Sequence, residues 1–287
     1  MKIIKLEQLT VFNQESVELS CAIGFFDGLH LGHQKIINSL TEKTKALITF
    51  EQNNNYLSSV ELKAQLLKDL GFEYLVILTD NVNIMKASKE EFIAFLKKNN
   101  IKVIACGLDF RFGYQRKGNI TDLEEFSLNV VDDQKINGQR ISSTLIKELL
   151  INEDIRIVSK YLGRYYQIEG QVVEGFKLGR TIGFPTINID YQGYFLPKAG
   201  VYQVRCTVDN QCFDGMANLG FNPTVSSTLN KKLEIHLFDF NQEIYGKTVK
   251  VEFLNFIREE KKFNTLEALK EAIDNDKKNI IKNLKSS

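Results

Sequence analysis

Gly24-Phe25-Phe26-Asp27-Gly28-Leu29-His30-Leu31-Gly32-His33 is the stretch that decides how this chain folds. The apolar run Leu19–Phe26 leading into it has the composition of a buried strand. Gln34–Leu40, just after it, has helical spacing, and Ala46–Phe50 reads as another strand. Strand, glycine turn, helix, strand is a βαβ unit. Its strands run parallel, and parallel sheets take their ligands at the carboxyl ends of the strands. The quoted stretch is therefore expected at a ligand site.

Its chemistry follows from that place. Residues three apart at a helix start share a face, so the imidazoles of His30 and His33 can address one phosphate. The helix N-terminus adds backbone N–H groups and a partial positive charge. Gly32 leaves the backbone bare where a nucleotide base would press on it. Such a site suits the charge that builds on an α-phosphate as a nucleophile displaces pyrophosphate. Two blander readings compete: polar residues on a solvated helix start, and half of a zinc site. The zinc reading needs a third ligand, and no nearby Cys or acidic pattern supplies one.

Length and composition set the frame. The 287 residues make one large or two ordinary domains. A chain that is 43% hydrophobic and 25% charged is globular in type. A net charge of +1 argues against nucleic acid or a membrane surface as partner. Met1–Leu6 lacks the apolar run of a secretion signal and no stretch approaches a membrane span, so the expected location is the cytoplasm. Cys21, Cys106, Cys206 and Cys212 form no Cys-x-x-Cys pair and read as thiols in a reducing compartment. The sequence carries no sign of oligomeric state.

Outward from the opening unit the alternation continues. Ser59–Leu70 places Leu62, Leu66, Leu67 and Leu70 at helical spacing, and Gly71 ends the run. Tyr74–Leu78 reads as a strand. Ser88–Leu96 opens on a Ser-x-x-Glu capping box and carries Phe92, Phe95 and Leu96 on one face. Ile101–Gly107 is a strand again. This order predicts an α/β domain with a parallel sheet. The loop Gly107–Gly113 holds Asp109, Phe110 and Arg111, with Arg116 and Lys117 following, at a strand's carboxyl end. Arg140-Ile141-Ser142-Ser143-Thr144 opens a helix through Leu150. Hydroxyls there usually only cap it, but Arg140 before them and Lys147 after make a candidate second phosphate clamp.

The texture changes at Tyr165. Runs shorten, alternate with period two and are split by Gly170, Gly175, Gly179 and Gly183, which predicts a small all-β barrel. The expected domains are residues 1–155 and 165–287, with 156–164 as a helix and linker between them. A last helix is expected to start at Asn264 with Glu267 completing a capping box. Its stripe Leu266, Leu269, Ile273, Ile280 and Leu284 is expected to cover the barrel.

A second chemical stretch is Gly179-Arg180-Thr181-Ile182-Gly183-Phe184-Pro185-Thr186-Ile187-Asn188-Ile189-Asp190. Proline can start a strand, and from there side chains alternate. Ile187 and Ile189 point to a core; Thr186, Asn188 and Asp190 point away from it. A hydroxyl and an amide two apart can share a Mg²⁺ with ATP phosphates, because Mg²⁺ takes few protein ligands and keeps its waters. The bland alternative is an amphipathic strand beside a turn. In Leu233-Glu234-Ile235-His236-Leu237-Phe238, Glu234 and His236 share a face, and a carboxylate there is placed to take a proton from an attacking hydroxyl.

In this order the pieces resemble the bacterial bifunctional riboflavin kinase/FMN adenylyltransferase family, the FAD synthetases. The resemblance runs over nearly the whole chain. It rests on the two stretches quoted, on Gly-Leu-Asp-Phe-Arg-Phe-Gly, Arg-Ile-Ser-Ser-Thr and Leu-Glu-Ile-His, on Asn218–Thr224 and Tyr245-Gly246, and on Arg258-Glu259-Glu260-Lys261-Lys262-Phe263. It implies a Rossmann-like nucleotidyltransferase domain of the His-x-Gly-His type, then a six-stranded Greek-key barrel with a C-terminal helix. It implies phosphorylation of riboflavin to FMN by ATP, and adenylylation of FMN to FAD with release of pyrophosphate. His30 and His33 would hold the ATP phosphates, with Gly24, Phe26, Arg140, Ser143 and Thr144 also at that nucleotide and Asp109 and Phe110 near the flavin. Gly179, Gly183, Thr186 and Asn188 would bind Mg²⁺ and ATP in the kinase half, Glu234 would be the general base, and Arg258 and Glu260 would lie near riboflavin.

Two positions depart from the family pattern. Lys147 stands where the family usually has arginine, keeping the charge but losing the planar fork. Glu51-Gln52-Asn53-Asn54-Asn55-Tyr56 replaces a loop that usually carries prolines. Both fall in the adenylyltransferase half, so a riboflavin kinase with a weak or inactive first half is the nearest alternative. Another nucleotidyltransferase would explain His-x-Gly-His but not residues 165–287, and a flavin-binding protein without turnover is the non-enzymatic alternative.

Overall fold

Strand β2 (Leu19–Ile23) is buried at every position and lies inside a six-stranded sheet. The computed structural model describes residues 1–42, 44–79, 82–152, 154–175, 179, 182–221 and 231–285. By internal contacts it divides into two units, Met1–Ser143 and Thr144–Ser287.

The first unit alternates strands and helices. In chain order they are β1 (Lys2–Leu6), β2, α1 (Leu31–Asn38), β3 (Lys45–Phe50), α2 (Val60–Asp69), β4 (Phe72–Leu78), α3 (Val82–Met85), α4 (Lys89–Lys98) and β5 (Ile101–Gly107). Two short hairpins follow, β6 (Arg111–Phe112) with β7 (Gly118–Asn119), and β9 (Lys135–Ile136) with β10 (Gln139–Arg140); between them runs β8 (Ser127–Val131). The main sheet has the order β1-β4-β3-β2-β5-β8, with every pairing parallel. Parallel sheets need cover on both faces, and successive residues here supply it. Cys21, Ile23 and Ile48 enter one core; Ala22, Leu47 and Leu75 enter the other.

The helix signals are local and hold. Ser59 caps α2, and Ser88 and Glu91 form both bonds of the capping box of α4. The expected strand Leu19–Phe26 stops at Ile23, because Phe26 (φ 46°) and Gly28 (φ 81°) take left-handed backbone and turn the chain into α1. That helix starts at Leu31, earlier than its apolar spacing implied.

The sheet order locates the site. From β2 the chain moves to β3 and β4 on one side, then crosses to β5 on the other. Loops leaving adjacent β2 and β5 therefore diverge at their carboxyl ends, and such a switch point is where open α/β sheets bind ligands. The His30/His33 loop leaves β2 and the Asp109 loop leaves β5.

The second unit takes most of α5 (Ser143–Asn152), then α6 (Ile155–Leu162). The stretch expected as helix and linker holds α6, which buries Val158 and Leu162, packs on the barrel and ends at Gly163 in left-handed backbone. The barrel strands are β11 (Tyr166–Val173), β12 (Ile187–Asp190), β13 (Gly200–Val208), β14 (Gln211–Phe221), β15 (Lys231–Leu237) and β16 (Thr248–Arg258). They close in the order β11-β12-β15-β14-β13-β16, antiparallel throughout. Three hairpin-linked strands with the next strand returned beside the first make a Greek key.

The last helix, α7, spans Leu266–Lys285. Its cap differs from expectation: the Thr265 hydroxyl accepts the Ala268 N–H at 3.1 Å, so the start is framed one residue after Asn264. Ile280 is fully buried against Val201, Met216 and Phe238, with Leu284 packed beside it, whereas Leu266 is 64% exposed. Ile273 packs against the same cluster, so the stripe covers the barrel from Ile273 to Leu284, and Leu266 at its start stays in solvent.

Candidate functional site

In the first unit, His30 ends its turn in extended backbone and is the N-cap of α1. Its Nδ1 accepts the His33 N–H at 3.2 Å. Nδ1 is thus an acceptor, and in the neutral ring the hydrogen sits on Nε2. The two imidazoles stack with centroids 3.5 Å apart and planes 16° from parallel. They point together, as one phosphate site requires, but one of the helix's N-terminal N–H groups is already taken by His30. The place left bare by Gly32 is occupied by that same ring: a Cβ there would lie 3.2 Å from His30 Cε1 and Nδ1.

Phe26 is 1% exposed, and its ring meets His33 edge-on at 5.1 Å. Its ring backs the histidine. Gly24 lies over the same phenyl ring, where a Cβ would come within 3.4 Å. Asp27 is buried and accepts the Leu57 N–H at 2.7 Å, while the Gly28 N–H reaches the Ser58 hydroxyl at 2.9 Å. These bonds anchor the chain just after the asparagine-rich loop, and Asn55 itself takes left-handed backbone.

Ser143 comes to the same place: its hydroxyl donates to the Asp27 carbonyl at 2.8 Å. Arg140 lies between two carboxylates, Nη2 2.8 Å from Asp109 and Nε 2.9 Å from Asp133. The hydrogen bond that Arg140 donates to Asp109 leads the causes that hold the guanidinium proton more tightly than usual. Phe110 stacks on Phe112 at 5.7 Å, half-buried against the core. Thr144 and Lys147 fall in the second unit, where the Lys147 ammonium lies 5.9 Å from the Phe195 ring centroid.

In the second unit, register does the assembling. Asn188 on β12 pairs with Glu234 on β15, and Glu234 pairs with Asn218 on β14. Asn218 in turn pairs with Val201 on β13, and Val201 with Arg258 on β16. Residues directly opposite across antiparallel strands share a face. These five positions therefore run as one row around the outside of the barrel. Leu233 and Ile235, the neighbours of Glu234, are fully buried on the inner face.

A cavity of about 410 Å³ is lined by Glu234, Asn218, Val201 and Arg258 of this row but not by Asn188, and is walled on its other side by Leu269, Ile273 and Asp276 of α7. Gly179, Thr186, Glu234, Arg258 and Glu260 all line it. Lys232 forms an ion pair with Glu234 within the wall. Arg258 is held by Asp276 at 2.8 Å, and its guanidinium lies 5.7 Å from the Phe263 ring centroid. The Glu260 carboxylate lies where a side chain on Gly220 would be. Thr186 also lines a second cavity of about 410 Å³, bordered by Val172 and Tyr245.

Asn188 is 7% exposed, and its Oδ1 is buried with no hydrogen-bond partner among the described residues. Its amide fills the space beside Gly175, where a Cβ would lie 2.0 Å from Nδ2; a Cβ on Gly179 would lie 3.3 Å from the Thr186 hydroxyl. Gly175 thus leaves room for the Asn188 amide, while a Cβ on Gly179 would meet the Phe184 carbonyl before it reached Thr186. Gly183 sits in a left-handed turn (φ 83°) and is not among the residues lining the cavity. Arg180, Thr181, Asn222, Pro223 and Thr224, quoted among the motifs, lie outside the described residues.

Sequence reasoning gave no role to Asn218, Gly175 or Asp276. Asn218 heads one of the quoted motifs, but its place opposite Glu234 follows only from cross-strand register. Asp276 is marked only as a buried acid one turn beyond Ile273.

Comparison with known proteins covers both units. A family model described as FAD synthetase matches residues 12–145, and one described as riboflavin kinase matches residues 162–284. The chain is 38% identical to a bifunctional riboflavin kinase/FMN adenylyltransferase of Haemophilus influenzae, over 92% of this chain and 94% of that one. It is 32% identical to the protein of the same description from Bacillus subtilis, over 95% and 94%. A crystal structure described as a macrolide-efflux protein from Streptococcus pneumoniae is similar with a TM-score of 0.85 and 28% identity, covering 96% of this chain and 97% of that one. Among the described residues no helix is long and apolar enough to cross a membrane.

Proposed function

The chain belongs to the bifunctional riboflavin kinase/FMN adenylyltransferase family, and on that footing we propose how its residues carry two reactions. It phosphorylates riboflavin to FMN, and it joins FMN to the adenylyl group of a second ATP, giving FAD and pyrophosphate.

The kinase reading is carried by one observation: Thr186 lines both cavities of the second unit. Phosphoryl transfer needs a nucleotide and an acceptor to meet in line. In our reading riboflavin takes the cavity under α7 and ATP the other, with the γ-phosphate beside Thr186. Glu234 accepts the proton of the terminal ribityl hydroxyl as its oxygen bonds to the γ-phosphorus and the bond to ADP breaks. Lys232 pairs with Glu234 and holds it in place, and Asn218 stands opposite it on β14.

The residues fit Mg²⁺. The Asn188 Oδ1 is a buried acceptor without a partner among the described residues, Thr186 is close by in sequence and on the cavity wall, and both side chains offer hard oxygen donors. When bound, the ion would offset charge on the ATP phosphates.

In the first unit a phosphate oxygen of FMN attacks the α-phosphorus of ATP, and pyrophosphate leaves. His30 donates from Nε2 and His33 from the ring stacked on it to the α-phosphate oxygens, where charge builds. Arg140 adds a guanidinium held in place by Asp109 and Asp133. The free thiols of the chain agree with a cytoplasmic location.

Chromatography of products tests the division. Wild-type protein with riboflavin, ATP and Mg²⁺ accumulates FMN and then FAD. Glu234→Gln is expected to leave riboflavin unconverted while still turning supplied FMN into FAD; His33→Ala is expected to stop at FMN. Two variants that lose both products together would overturn the assignment.

A further inference from the structure

The wall of the cavity under α7 holds a ring that neither reaction above employs. His236 lies on β15 two residues after Glu234, on the same face, and lines that cavity. It is 6% exposed. Its Nδ1 is 2.9 Å from the Pro185 carbonyl oxygen. A carbonyl only accepts, so Nδ1 carries the hydrogen and Nε2 of the neutral ring is left as an acceptor. Nε2 is buried and has no hydrogen-bond partner among the described residues.

The ring is not at liberty to turn. Phe184 meets it edge-on at 5.4 Å and Phe238 at 5.7 Å. Flipping it would break the bond to Pro185. Burial, with the nearby Lys277 ammonium, makes the ring harder to protonate than an ordinary histidine. Buried polar atoms in native folds are almost always paired, and a clamped acceptor on a cavity wall marks where a ligand completes the pairing.

Riboflavin offers two kinds of donor, the ring N–H and the ribityl hydroxyls. Glu234 and His236, two residues apart on a strand, are separated by about 7 Å along its axis. The ribityl chain places its inner hydroxyls at that order of distance from its end, whereas the ring N–H lies beyond three fused rings. With the terminal hydroxyl at Glu234, an inner hydroxyl meets His236. We propose that His236 Nε2 accepts a hydrogen bond from an inner ribityl hydroxyl and thereby aligns the terminal hydroxyl on Glu234. This rests on the reading of the cavity as the riboflavin pocket.

Equilibrium binding by quenching of flavin fluorescence tests it without turnover. The ligands are riboflavin and its 2′-, 3′- and 4′-monodeoxy analogues, on the full-length protein. The wild type is expected to bind one analogue about tenfold more weakly than riboflavin. His236→Asn keeps an amide N–H for Pro185 but has no counterpart of Nε2. It is expected to bind riboflavin about tenfold more weakly and to treat that analogue as it treats riboflavin. His236→Gln, which returns an acceptor near Nε2, is expected to recover part of the discrimination. Equal wild-type affinity for all four ligands overturns the proposal. So does an Asn variant that still discriminates, or that weakens every ligand by one common factor. If the Asn variant does not fold, the Gln variant decides by whether its discrimination is below the wild type's. Ile273→Trp, which fills the cavity, separates the two levels. If riboflavin still binds to it, the pocket reading falls; if it does not, only the His236 assignment is at stake.

Discussion

Arg258 grips Asp276 with two nitrogens, Nε at 3.0 Å and Nη2 at 2.8 Å from Oδ2. One residue ends β16 and the other lies mid-way along α7, so the pair straps the helix to the barrel beside the cavity both line. The Asp276 side chain is 7% exposed and that of Arg258 20%. Asp276→Asn keeps the shape but strands a poorly solvated guanidinium, and is expected to cost about 3 kcal/mol. Urea denaturation checks this; an unchanged midpoint would show that the strap contributes nothing.

His30 has two functions that two substitutions separate. His30→Asn supplies a good N-cap but no Nε2–H, whereas His30→Ala removes both. The Asn variant is expected to retain the melting temperature and lose about a hundredfold in FAD formation. The Ala variant should lose about 1 kcal/mol of stability as well. Comparable rates for the Asn variant and the wild type would exclude His30 from the chemistry.

Gly175→Ala puts a methyl group 2.0 Å from the Asn188 amide nitrogen, so one of the two must move. Riboflavin phosphorylation is expected to fall at least tenfold and to need more Mg²⁺, about the price of losing one good contact. Conversion of FMN to FAD should be untouched. A Mg²⁺ titration of both reactions on this one variant gives the answer.

The thiols provide a check by pH. Burial raises Cys21 well above the ordinary range, Cys106 to about 11 and Cys206 to about 12. The thiolate is the reactive form, so raising these values keeps the proton on and the sulfur inert at pH 8. Cys212 is exposed. A thiol reagent at pH 8 is expected to modify Cys212 quickly and the other three only on unfolding. Rapid modification of all four in the folded protein would contradict the buried environments.

Much of the scaffold was legible because its signals are local. Ser88 and Glu91 announce a helix start within four residues, and the structure forms both bonds. Leu19 to Ile23, apolar but for Ser20, announce a doubly covered strand. Where adjacent residues compete, locality misleads: Thr265 outbids Asn264 for the cap of α7. The contact of the Phe26 ring with His33 is likewise set by the fold and not by local spacing.

What the sequence withheld depends on register and on rings. Nothing near Asn218 says that it stands beside Glu234, since that follows from how β14 and β15 slide into alignment. The tautomers of His30 and His236 depend on a backbone N–H and a carbonyl that only the folded chain brings to them. Gly175 reads as one loop glycine among several until the amide that fills its place is seen.

Gly32 is the mould of an imidazole. Because the first ring of the pair lies in the hollow above it, the letters between the histidines are not a spacer, and the four residues make one indivisible part. Anyone grafting the two rings onto another scaffold would have to carry the hollow along, or the stack would open before any substrate arrived.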